Sequence, residues 1–290
     1  MRNKHNLLKY LILSIIAITI ALIGSLHNKE DKGKEQQTIA ITHWRDYDAI
    51  VAEGIIRATV EYNSTGFYVD KDSLSGFHYE LLKIFAQDKG LKLEIIPEMS
   101  FGKRMRILNT GKCDIIAHEI AAISELKDSL LLTVPIMLSK SILVQRKPSE
   151  KDSLSSYIES LLDLSGKTIH LVKGSPSVMR IRNLENEIGD TIYIKEIEKY
   201  GQEQLMAMVA HSDIDYAVCD EHIARILADS LPHLSIDTEI SFTQFYSWGV
   251  NNQSLILADS LNNWLIKARK SSYYKQIYRK YLKKEQQTKE

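Results

Sequence analysis

Apolar and polar positions alternate along the chain in two periods. Residues 54–62 alternate closely enough to predict a strand, and the polar run 63–66 breaks it into a loop. Phe77, Leu81, Ile84 and Phe85 recur at helical spacing, and Gly90 ends that helix. Residues 91–96 predict a second strand, 104–109 a short helix, and 115–117 a third, apolar strand. Residues 44–53 predict a short helix packed beside the first strand, and 148–163 a surface helix. Strands are expected near 167–172, 191–197, 214–219 and 234–240, with helices near 176–187, 202–211 and 221–229. Such alternation indicates α/β lobes built on mainly parallel sheets. Residues 254–282 predict one long helix, whose stripe of Leu257, Leu261, Trp264 and Leu265 continues into Tyr274, Ile277, Tyr278 and Tyr281. Rings at that spacing read as core rather than as a nucleic-acid face.

Residues 1–27 differ in kind. Arg2, Lys4 and Lys9 precede an uncharged run from 10 to 26, the pattern of an export signal or membrane anchor that places the rest outside the cytoplasm. Residues 28–37 form a polar linker. With 290 residues, 44% of them apolar, and a formal net charge of zero, the chain can bury ordinary cores and has no global field to recruit nucleic acid. Cys113 and Cys219 each precede a strand aspartate, Asp114 or Asp220, and are expected to remain unpaired thiols.

The order of Arg45, Asp46, Gly54, Arg57, residues 63–65 and Tyr68, then the glycine-opened helix and the strand after Asp114, resembles the family 3 periplasmic solute-binding proteins. Within these it looks like the binding module of the membrane-bound lytic transglycosylase F group. The resemblance covers about residues 44–283 and implies a two-lobed periplasmic-binding-protein-like fold of type II: α/β, with mixed sheets flanked by helices, after an N-terminal hydrophobic helix. The implied organisation is a signal peptide or anchor at 1–27, a linker at 28–43, lobe 1 at 44–138 and 246–283, lobe 2 at 139–245, and a tail at 284–290. Chain crossings are expected near 134–140 and 239–246. With Glu290 soon after the final helix, the expectation is a binding module without the transglycosylase domain.

For the cleft, the resemblance implies ligand-binding roles for Tyr68, Glu119, Gly174, Ser175 and Asp220. Gly174 and Ser175 lie at a helix start that can offer amides to an oxyanion, or serve as a plain cap. Asp220 reads evenly as an acid for a ligand ammonium or as a cap of the next helix. Leu126 falls where the resemblance places a carboxylate-clamping arginine, and Ala121, Ile123 and Glu119 depart from the same loop pattern. An apolar side chain cannot replace a bidentate guanidinium. Arg104 and Arg106 read as solvated, with replacement of the missing charge as their second reading.

Enzymatic signatures are weak. His118 and Glu119 lack the second histidine of a zinc protease motif, Gly174 to Ser177 makes no nucleophile elbow, and no phosphate loop occurs. No catalytic residue, metal or cofactor is expected. The expected function is a non-catalytic extracytoplasmic protein of the periplasm or cell envelope. It would close on an amino acid, a peptide or a cell-wall fragment such as a muropeptide, and work with a membrane transporter or another envelope protein. The alternative is a membrane-anchored regulatory or sensory module derived from a lytic transglycosylase and acting through a protein partner.

Overall fold

A computed structural model describes residues 44–122, 126, 128–148 and 157–283. The expected signal or anchor at 1–27, the linker and the tail lie outside the described residues. Among the described residues, no helix is long and apolar enough to cross a membrane.

Helix α1 (Tyr47–Glu53) starts at Asp46, whose carboxylate accepts from Tyr47 N–H and also from the Leu257 amide at 2.8 Å. It ends at Gly54, and strand β1 (Ile55–Val60) follows. A hairpin of β2 (Tyr68–Asp70) and β3 (Ser73–Ser75), not expected from the sequence, precedes α2 (Phe77–Asp88). Gly76 opens α2 at φ 126°, and a Cβ there would lie 2.3 Å from the Gly66 carbonyl oxygen. Only glycine permits that approach. Then come β4 (Lys92–Pro97), α3 (Phe101–Asn109, capped by Ser100), β5 (Ile115–Ala121), β6 (Leu130–Leu132) and β7 (Met137–Ser139).

The second lobe runs through β8 (Ser141–Arg146), a 3-10 turn (Leu161–Leu164), β9 (Thr168–Val172), α4 (Ser177–Ile188), β10 (Tyr193–Ile197), α5 (Gln202–Ala210), β11 (Tyr216–Asp220), α6 (Glu221–Ala228) and β12 (Leu234–Ser235). The chain then returns as β13 (Gln244–Asn251), α7 (Leu255–Ala268) and α8 (Ser272–Leu282).

Two sheets result. The first has the order β4-β1-β5-β13-β6, with β7 also paired to β13; the second has the order β10-β9-β11-β8-β12. In each, the βαβ strands pair in parallel, and the strand that enters from the other lobe runs antiparallel. Helices cover both faces of each sheet, as parallel strands require. Trp248, Phe77, Phe85 and Leu261 fill one face of the first sheet, and Leu108, Ile116 and Ile120 the other. Leu171 and Ile181 pack on one face of the second sheet, and Val144 and Val209 on the other.

Three expectations change. Residues 254–282 are two helices, because the turn at Arg269 and Lys270 ends one and Ser271 caps the next, accepting from the Tyr274 amide. The tyrosine stripe is core: Tyr274 and Tyr281 are buried, and Tyr274 and Tyr278 meet Phe77 edge-on. Of the segment expected as a surface helix, 149–156 lies outside the described residues. The remainder is extended before the 3-10 turn, because Gln145 clamps both backbone groups of Ile158 at 2.8 Å and fixes it as core. The strand expected at 234–240 shrinks to Leu234–Ser235 plus a single bridge at Glu239. Cys113 and Cys219 are buried free thiols in different lobes.

Candidate functional site

Strand ends and helix starts from both lobes converge on one cleft. Its walls include Glu61, Phe101, Arg104, His118, Glu119, Ile120 and Leu126 from the first lobe, and Val172 to Pro176, Gln202 and Asp220 from the second, with Tyr246 on the returning strand. Between the lobes, the Ser64 amide and hydroxyl both donate to Glu203 Oε1, at 2.7 and 2.5 Å. The lobes touch there.

Glu119 forms the floor. It is 4% exposed and gathers three histidines: His78 Nε2 at 2.9 Å, His118 Nδ1 at 2.9 Å and His222 Nε2 at 3.3 Å. All three ring nitrogens lie within charge-assisted reach of the carboxylate. Burial pushes the carboxyl up, and the ring nitrogens outweigh it, holding Glu119 well below the usual carboxylate range. Burial likewise pushes His222 down, and Glu119 more than reverses this, so its pKa is raised. His222 stands on α6 of the second lobe and Glu119 on β5 of the first, so this pair ties the lobes at the hinge.

His78 is fixed by its neighbours. Trp248 Nε1 donates to His78 Nδ1 at 3.0 Å. An indole N–H can only donate, so Nδ1 is the acceptor and the proton sits on Nε2, facing Glu119. That tautomer leaves no lone pair for a metal on the side facing the cluster, and among the described residues no group of histidines, cysteines and acids is arranged to hold one. Gly66 lets the ring sit there, since a Cβ would lie 2.8 Å from His78 Cδ2.

Asp220 ends β11 and is 9% exposed. Its side chain does not cap α6. Instead it accepts from Tyr246 Oη and Gln202 Nε2, both at 2.7 Å. Gln202 also takes the Asp220 amide, which fixes the carboxylate's orientation. Tyr246 belongs to β13 of the first sheet and Gln202 to α5 of the second lobe, so the carboxylate lies where the lobes meet.

Gly174 and Ser175 line the same cleft, but their amides are engaged. Gly174 N–H reaches Glu196 Oε2 at 3.3 Å, Ser175 N–H the Val172 carbonyl at 3.0 Å, and Ser177 N–H Ser175 Oγ at 3.2 Å. Tyr68 is absent from the cleft. It starts the β2–β3 hairpin and meets the ring of Tyr281 edge-on, because the hairpin folds it against the first-lobe core. Thus Glu119, Gly174, Ser175 and Asp220 come together, and Tyr68 does not join them.

The expectation that Arg104 is solvated is corrected. It is 1% exposed, and its Nη1 meets Glu61 Oε2 at 3.0 Å and the carbonyls of Glu98 and Met99 at 2.6 and 3.1 Å. Burial is tolerated because Glu61 neutralises it. Arg106 is exposed, as expected. Sequence reasoning missed His78, His222 and Gln202 as cleft or hinge residues, kept a cleft role for Arg104 only as a second reading, and placed Tyr246 at a chain crossing without a contact to Asp220. One signal existed: His78 falls on the same helical face as Leu81, Leu82 and Phe85, where a histidine needs a buried partner.

The residues used to recognise the subgroup act elsewhere. Arg45 pairs with Asp114 through Nε and Nη2 at 3.0 and 2.5 Å, and Asn63 Oδ1 accepts from the amides of Thr65 and Gly66. They brace the start of the first lobe.

Comparison with known proteins agrees with this architecture. Membrane-bound lytic murein transglycosylase F of Photobacterium profundum is 23% identical over 259 residues, which are 87% of this chain and 46% of that protein. The Aeromonas salmonicida protein of the same name is 27% identical over 203 residues, 70% of this chain and 39% of its own length. The chain therefore spans less than half the length of these relatives. In fold it is similar to an ancestral arginine-binding protein bound to arginine, with a TM-score of 0.67, 25% identity, and coverage of 79% of this chain and 98% of that one. It is likewise similar to the amino acid transporter substrate-binding protein AbpA of Streptococcus pneumoniae bound to L-arginine, with a TM-score of 0.68, 20% identity, and coverage of 81% and 98%. Residues 55–284 match the family described as bacterial extracellular solute-binding proteins, family 3, and the chain belongs to that family.

Proposed function

We propose that this chain is an extracytoplasmic solute-binding protein that holds a small organic ligand between its lobes without transforming it. The observation that carries the reading is Asp220: a buried carboxylate at the meeting of the lobes, oriented by Tyr246 and Gln202 and lining a cleft that both lobes build. A carboxylate so placed offers a charge-assisted bond to a ligand ammonium. Ligand contact with both lobes favours the closed form and shifts the open–closed equilibrium by the difference in affinity.

A thermal-shift panel of amines, amino acids, short peptides and muropeptides tests this, since a ligand of the folded state raises apparent stability. At least one compound should shift the melting temperature in a saturable manner and shrink the radius of gyration in solution scattering. A panel with no hit, or turnover of murein glycan by the purified chain, contradicts the reading.

The transglycosylase F relatives favour one second reading, a membrane-tethered regulatory module acting through an envelope partner. Sequencing the mature N-terminus separates the two. Loss of residues 1–27 supports a free carrier, and their retention supports the tethered module.

A further inference from the structure

We propose that the cleft selects small organic cations, primary amines or guanidines that lack a free carboxylate. The proposal rests on the solute-binding reading above and names its ligand chemistry.

Among the described residues, the backbone amides best placed to receive a ligand carboxylate are already committed. At the start of α4, the amides of Gly174, Ser175 and Ser177 go to Glu196, the Val172 carbonyl and Ser175 Oγ, and Pro176 has none to give. An incoming carboxylate would have to displace Glu196, itself an anion, from that turn. Leu126 presents hydrocarbon to the same wall. Arg104 is a buried cation of the cleft, but its Nη1 is spent on three acceptors and its Nε is shut off from solvent without a partner, which leaves Nη2 as its remaining donor. A bidentate pair draws parallel N–H donors from two guanidinium nitrogens, and Arg104 has Nη2 alone to give. Lys173 is tied to Glu198 at 3.1 Å, with 57% of its side chain in solvent.

The acidic side is the reverse. Asp220 is held by two neutral donors, a hydroxyl and an amide, so its charge stays uncompensated by those bonds. Glu119, 4% exposed, lines the same cleft, but its charge is shared among His78, His118 and His222, which leaves Asp220 as the acid open to a ligand. In a site of low dielectric, a ligand cation is attracted by the Asp220 carboxylate, and a ligand carboxylate is repelled by it.

Two matched pairs test this by calorimetric titration of the purified chain: agmatine against arginine, and cadaverine against lysine. The members of each pair differ by a single carboxylate. Each decarboxylated amine should bind at least tenfold more tightly than its amino acid. Equal or tighter binding of the amino acid overturns the proposal. Absence of binding by all four overturns it too, but in that case the solute-binding reading is judged separately, by the peptides and muropeptides of the wider panel.

Discussion

At the scale of single residues, the most consequential group is Glu119, a carboxylate that holds three histidines in the interior. Its pKa lies below the ordinary 4.5, so the stability it contributes is fully present above pH 4.5 and lost as pH falls through its folded value. His222 has the opposite sign. Its pKa is raised above 6.5, so its contribution is complete below pH 6.5 and lost as pH rises through the folded value. Unfolding free energy measured in urea should therefore be highest between these limits. His222→Gln should flatten the decline on the alkaline side, and Glu119→Gln should remove both limbs and cost about 1–3 kcal/mol at neutral pH. Parallel pH profiles for wild type and His222→Gln would contradict the assignment. His78, His118, Asp220 and Glu221 also face this pair, so the profile is read by difference between variants. The thiols make a second residue-scale prediction. Burial pushes Cys113 up to about 12 and Cys219 higher still. An aromatic disulfide reagent should modify neither in the native protein and both in denaturant.

At the scale of elements, the carboxyl-terminal pair α7 and α8 depends on the cap at Ser271. Ser271→Ala should cost about 1 kcal/mol in urea unfolding, and an unchanged midpoint would show that the break between the helices does not need it. Apolar periodicity made most elements legible, because strands such as Ile115–Ala121 and helices such as Phe77–Asp88 each bury a regular set of side chains. It failed where that set does not encode the boundary. The stripe from Leu257 to Tyr281 continues across the Ser271 cap, so periodicity alone fused two helices. Ile158 is core through Gln145's hydrogen bonds to its backbone, which no spacing of apolar residues reveals. Tyr68 was misplaced because the β2–β3 hairpin carries too few residues to display a period.

At the scale of the whole molecule, two sheets share a chain that crosses twice, and the cleft lies between them. Strand ends were legible, so Glu119, Gly174, Ser175 and Asp220 were found together. The long-range partners were not, since Gln202 reaches Asp220 across the second lobe, and Tyr246 and His222 meet Asp220 and Glu119 only where the two lobes come together. Arg104 was misread because its charge is cancelled by Glu61, 43 residues away in sequence. Everything proposed for the cleft turns on whether the carboxylate at the junction of the lobes binds the ligand. Asp220→Asn keeps the shape and an acceptor for Tyr246 while removing the charge and the acceptor for Gln202 Nε2. Calorimetric titration of this variant with the tightest binder from the panel decides the matter. Affinity should fall about a hundredfold, about 2.7 kcal/mol, in a variant that still unfolds cooperatively. An affinity within about threefold of wild type, less than 1 kcal/mol, would show that Asp220 does not hold the ligand.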